Sequence, residues 1–282
     1  MGTTDSPIGK VIVDNECVPF TFSHAAAALP FRRTRLIASA VVIGTFAPDF
    51  EYFLRLDPEG RYGHMMPGIL VLTLPVAFVI FWGYQKFLKL PLLMLLPKAV
   101  QRKLHADRRP FRIGGLRRFL LIVASLLMGI ATHIVWDSFT HFNTWFYQHI
   151  ELLRAYYVVP GLGRMAGYLV MQGVSSVVGL AMLAVWFWHW YRATPSAAEA
   201  LPKALPGMQK LAIASGIVAV AVVAGLVRAV IRAGLSTDPH QLRHFLVQAV
   251  ATAMALAWWQ LVAYGLFVQS SLNWRLSPNS DN

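Results

Sequence analysis

Apolar blocks of about twenty residues alternate with short polar blocks over most of this chain. Five of them, at residues 69–88, 119–139, 167–190, 211–231 and 245–266, are long enough to cross a membrane. A helix rises 1.5 Å per residue, so about 20 residues cover a hydrocarbon core of about 30 Å. The apolar stretch at 36–47 is shorter and would cover only about 18 Å. Before it, Ser23 is placed to cap a short helix running to about Leu29, with His24 in its first turn. These two pieces are predicted to be half-helices packed against the bundle. The expected fold is all-α, a polytopic membrane helical bundle of five full spans and two N-terminal half-helices. No internal repeat is visible.

Composition agrees with this pattern. Of 282 residues, 56% are hydrophobic and only 13% charged, about half the charge of a soluble domain. The net charge of +12 raises nucleic acid as a partner, but the Lys and Arg lie between the apolar runs, where topology signals belong. The expected partner is the lipid bilayer, not nucleic acid. Cys17 is the one cysteine. It excludes an intramolecular disulfide and a thiolate cluster, so any metal must be held by His, Asp and Glu. Residues 1–17 are polar, lack the apolar core of a signal peptide, and read as a disordered leader. Residues 18–272 read as one membrane domain and 273–282 as a polar tail.

Residues 86–118 hold ten Lys/Arg against one acid, Asp107. With the loop at 192–210, they place the basic loops in the cytoplasm and predict a multi-pass protein of the cytoplasmic membrane. The loops at 53–68, 142–166 and 235–244 then lie outside. Trp145, Phe146, Tyr147, Tyr156 and Tyr157 suggest an aromatic belt at the outer surface. Arg228 and Arg232 read as snorkelling side chains.

Within this frame one segment stands out: His133 and Asp137, four apart near the end of the second span. On a helix they share a face and lie about 6 Å apart along the axis, so both can grip one ion. His141 is rotated roughly 80° from His133 and is a looser candidate. Ionisable groups inside an apolar span point to function by default, although a His–Asp pair can also be a hydrogen bond between helices. The charge rule puts Asp137, His141, Asp49 and His64 on the outer side. With the first half-helix starting at that surface, His24, Asp49, His64, His133 and Asp137 are expected around one outward-facing cavity. Asp49 and Glu51, two apart, would face one way on an extended segment. Glu51 is then a second ligand or a general base. Plainer roles exist for each: Asp49 follows Pro48 and can cap a turn, and lone loop or capping histidines are often structural. His105, His149, His189, His240 and His244 read as interfacial. Ligands of this mixed His and carboxylate type suit zinc, and also manganese or iron.

The motifs Pro19-Phe20-Thr21-Phe22-Ser23-His24, Ala47-Pro48-Asp49-Phe50-Glu51-Tyr52, Tyr62-Gly63-His64 and His133-x-x-Trp136-Asp137-Ser138-Phe139-Thr140-His141 together resemble the bacterial membrane-protein family named domain of unknown function 4184. That family is distantly similar to inner-membrane metal-dependent hydrolases. Their pattern is an early His, a Pro-Asp-x-Asp-His element, a loop His and a helical His-x-x-x-Asp. The resemblance implies His24, Asp49, His64, His133 and Asp137 as ligands of a divalent metal. The chain departs from the pattern at Glu51 and Tyr52, and in having one loop His where the hydrolases have two. The resemblance therefore implies a metal site more firmly than a two-metal site. Family members tend to begin at Met-Pro-Phe-Thr-Phe-Ser-His, where this chain has Val18, so residues 1–17 are expected to be an extension upstream of the true start.

Two functions follow as expectations. The first is a membrane-embedded metal-dependent hydrolase with its site near the outer face of the cytoplasmic membrane, acting on a lipid headgroup, a phosphoester or an amide. The second is a non-enzymatic transporter or assembly factor that binds an ion or proton at the same residues. A haem protein ranks below both, because His133 has no evident partner histidine in another span.

Overall fold

The structure, a computed structural model, describes residues 21–51, 66–104, 111, 113–160, 163–197 and 205–275. It is an all-α polytopic helical bundle with five helices long and apolar enough to cross a membrane. The protein is therefore a multi-pass membrane protein. The chain starts with a 3-10 helix, Thr21–Arg33, followed by α1 (Ala38–Phe46) and a single 3-10 turn, Ala47–Asp49. The five spans are α2 (Ile69–Leu95), α4 (Leu116–Thr140), α7 (Gly167–Ala193), α8 (Gly207–Ala233) and α9 (Pro239–Arg275). Between α2 and α4 lies the short α3 (Lys98–Lys103).

The core is the crossing of α1 with α4. The residues that α4 buries are Ile122, Ser125, Leu126, Gly129, Ile130, His133, Asp137 and Thr140, a stripe of three- and four-residue steps on one helical face. Two small-xxx-small pairs, Ala40/Gly44 and Ser125/Gly129, let the backbones touch. A Cβ at Gly44 would lie 2.9 Å from the Gly129 Cα and would clash with the Leu126 carbonyl. Ser125 also fixes the start of α1, its Oγ accepting a 3.0 Å hydrogen bond from the Ile37 amide. The 3-10 helix is wedged against α7 at a third small residue, where a Cβ on Gly179 would meet the Ser23 carbonyl at 2.8 Å. On the other side α8 and α9 pair closely, with Gly225 against Ala249 and Ala253, and Gly265 of α9 seats the side chain of Leu88 from α2.

Several expectations change. Ser23 does not cap a helix; it lies inside a 3-10 helix that continues through Pro30 to Arg33. The basic segment after the first span is partly helical, at Lys89–Leu95 and Lys98–Lys103. Gln101 Nε2 joins the two pieces, its two N–H groups shared among the carbonyls of Leu93, Met94 and Leu96, and Lys210 of α8 donates to the Leu96 carbonyl. The aromatic loop after α4 contains α5 (Trp145–His149), α6 (Glu151–Arg154) and an antiparallel hairpin of β1 (Tyr156–Val159) and β2 (Gly163–Ala166). Short elements like these have too few periodic positions to be read from sequence. The last helix runs to Arg275, into the stretch expected to be tail.

Candidate metal site

The site lies where three elements meet: the 3-10 helix supplies His24, the turn after α1 supplies Asp49, and α4 supplies His133 and Asp137. Glycine contact between α1 and α4 brings the end of α1 against the His133 level of α4. The Thr45 carbonyl lies 2.9 Å from His133 Nδ1. The contact fits an Nδ1–H donating to that carbonyl, which turns Nε2 inward toward the carboxylates. Nε2 then lies 2.9 Å from Asp137 Oδ2 and 3.5 Å from Asp49 Oδ1. Asp49 is steadied by Thr21, whose hydroxyl donates to Oδ2 at 2.8 Å.

His24 enters from the opposite side. Its ring stacks on that of His133 with centroids 4.3 Å apart, and Trp136 lies beside it at 5.4 Å. His24 Nε2 is 3.4 Å from Asp137 Oδ1. Ligand atoms of His24, His133 and Asp137 all lie within 4.8 Å of one another. Burial, with the His133 imidazole alongside, pushes His24 down to about 4, so at neutral pH it is an uncharged imidazole, the form that binds a metal. His141 stands at the rim, its Nδ1 3.6 Å from Asp137 Oδ1 and its side chain 29% exposed.

The residues fit a divalent cation on three counts. His24 and His133 are 0% exposed, Asp49 1% and Asp137 5%; burying carboxylates at this depth is costly unless their charge is balanced. Among the described residues neither buried ring nitrogen of His24 makes a hydrogen bond, Nε2 having only the 3.4 Å approach of Asp137 Oδ1, although a buried imidazole normally finds a partner. Finally, ligands at about 2.0–2.2 Å from a tetrahedral ion stand about 3.3 Å apart, close to the 3.4 and 3.5 Å separations here. The stacked rings also leave no gap for a porphyrin between His24 and His133, which removes that pair as axial haem ligands.

Of the residues picked out by sequence, His24, Asp49, His133 and Asp137 come together and His141 joins their edge. His64 lies outside the described residues. Glu51 does not share a face with Asp49. The segment is helical rather than extended at this point, so residues two apart point in different directions. Glu51 is half-buried with Oε1 shielded from solvent. Thr21, Thr45, Gly44 and Gly129 were not singled out. The small-xxx-small spacing was a readable signal for the glycines; nothing marks a backbone carbonyl such as that of Thr45.

Residues 18–266 match the family model described as Domain of unknown function (DUF4184). Among curated proteins and among solved structures nothing matches the chain.

Proposed function

The chain belongs to the family defined by the domain of unknown function DUF4184, and from the geometry of its buried cluster we propose that it is a membrane-embedded metal-dependent hydrolase. The observation that carries this is the convergence of His24, His133 and Asp137 within 4.8 Å, with Asp49 on the far side of His133. Two carboxylates and two imidazoles make a set of net charge −2, which a divalent cation neutralises. Zinc suits these ligands best, with manganese and iron as alternatives. Bound there, such an ion supplies Lewis acidity and lowers the pKa of a water to about 7.

In this proposal the chain's own groups do the rest. His133 is held in one tautomer by Thr45, and Asp49 in one rotamer by Thr21, so the ligand set is ordered before substrate arrives. His64, which lies outside the described residues, is the further ligand that the family resemblance implies. Glu51, although it stands on a different face of the turn from Asp49, is the proposed general base, which would take the proton of the attacking water and return it to the leaving group. Low polarity around the cluster strengthens each of these interactions. The substrate is an ester, phosphoester or amide carried by a lipid, reached from the outer face of the cytoplasmic membrane; the basic segment at 86–118 supports that orientation.

A second reading is favoured by one specific distance. An imidazolium at His133, 2.9 Å from Asp137 and 3.5 Å from Asp49, would hold a proton in place of a metal, as a transporter or assembly factor could use it. The experiment that separates the two is hydrolysis of vesicle lipids by the purified protein, followed by mass spectrometry of the products with and without a chelator. Metal-dependent product supports the hydrolase. Metal-free protein with no product supports the proton site.

A further inference from the structure

The first and last spans leave a groove between them that the metal site does not use. It has a volume of about 460 Å³ and runs from Pro75 to Leu88 on α2, facing Trp258, Trp259 and Val262 of α9. Its lining is almost wholly apolar. The fourteen residues from Pro75 to Leu88 make it roughly 20 Å long, more than half of a hydrocarbon core of about 30 Å. No residue of α1 is among its lining, and α2 departs from α-helical geometry at Tyr84–Leu88, where it forms a π-helical stretch.

Polarity limits what can lie there. The groove is open along its side and nearly wholly apolar, so whatever lies in it must itself be apolar. A single slender chain fits, and at this depth the surrounding medium is lipid hydrocarbon. The groove also connects with the cluster through the backbone. Asp49 approaches His133 within 3.5 Å, while the next residue, Phe50, lines the groove with its ring 6.2 Å from that of Trp258. One turn thus presents a ligand on one side and a groove wall on the other.

We propose, resting on the cluster being a hydrolytic metal site, that this groove holds one acyl chain of the lipid substrate, whose headgroup lies at His24, Asp49, His133 and Asp137. The substrate class is then an acyl lipid cleaved in its headgroup region, not a water-soluble ester. Gly83 gives a clean test. It lines the groove, and a Cβ there would meet nothing within 4 Å, so Gly83→Trp and the milder Gly83→Leu fill the groove without displacing backbone.

The full-length protein is placed in phosphatidylethanolamine and phosphatidylglycerol vesicles. They carry a trace of phosphatidylethanolamine bearing a diazirine either mid-chain or on the headgroup. The mid-chain probe is expected to label peptides covering 75–88 and 258–266, and Gly83→Trp to reduce that labelling about tenfold, the effect of displacing roughly two buried methylenes. The headgroup probe is expected on the peptide covering 21–51. Mid-chain label spread evenly over all five spans and unchanged in both Gly83 variants would overturn the groove. Headgroup label away from 21–51 would overturn its link to the cluster. Metal is measured in the same samples and is expected to be equal in wild type and variants. Its absence from all of them would remove the metal reading, while the labelling would still decide the groove.

Discussion

Gly44 of α1 and Gly129 of α4 meet with no side chain between them: a Cβ at Gly129 would lie 2.7 Å from the Gly44 Cα, and would clash with the Val41 carbonyl. The site depends on this contact, because Thr45 and Asp49 are carried at the end of α1 while His133 and Asp137 follow Gly129 on α4. Gly129→Ala is expected to force the helices apart, costing about 1–3 kcal/mol of stability through overpacking and lowering metal content with it. Gly83→Ala, where the space is open, is expected to stay within about 0.5 kcal/mol of wild type. Thermal unfolding in detergent, with metal analysis on the same samples, checks both.

Thr21 tests whether the partners behind the ligands count. Its hydroxyl donates to Asp49 at 2.8 Å. Thr21→Val keeps the shape and removes the donor. Metal affinity is expected to fall about 10- to 100-fold, as for other groups that orient a ligand. Competition against a chelator of known affinity measures it, and an unchanged affinity would take Asp49 out of the ligand set.

The site was partly legible before the fold. His133 and Asp137 announced themselves because their spacing matches the helix period and because charged groups are costly in an apolar span. The five spans were legible for the same physical reason, length and apolarity. His24 was harder. Its place opposite His133 depends on a 3-10 helix wedged against Gly179 of α7, more than 150 residues away in the chain, and local patterning does not encode that. Asp49 and Glu51 do not face one way because the proline-started turn that carries them is helical, not extended. The hairpin after α4 escaped notice because four-residue strands have no period to detect.

Glu51 carries the proposed chemistry rather than the metal. Glu51→Gln is expected to keep its metal and to lose hydrolysis by about 10²- to 10⁴-fold, the usual contribution of a general base. Loss of the metal together with activity would make Glu51 a ligand instead. Product formation and metal content, measured side by side, distinguish the two.

Metal should also stabilise the fold, since the four buried ligands come from three elements. Free metal at about 100 times its Kd adds about 2.7 kcal/mol to a folded state that alone binds it. Wild-type protein stripped with a chelator is expected to unfold at a lower temperature and to recover on metal return. Asp137→Asn is expected to show neither change. Thermal scans before and after chelation give the comparison.

Metal analysis of the detergent-purified protein, wild type beside His133→Ala and Asp137→Asn, tests the central claim most directly. Four ligands around one position lead to about one divalent ion per chain in the wild type, and to little or none in either variant, with all three proteins still inserted in the membrane. Equal metal content in all three, at any level including zero, would contradict a metal site at His24, Asp49, His133 and Asp137.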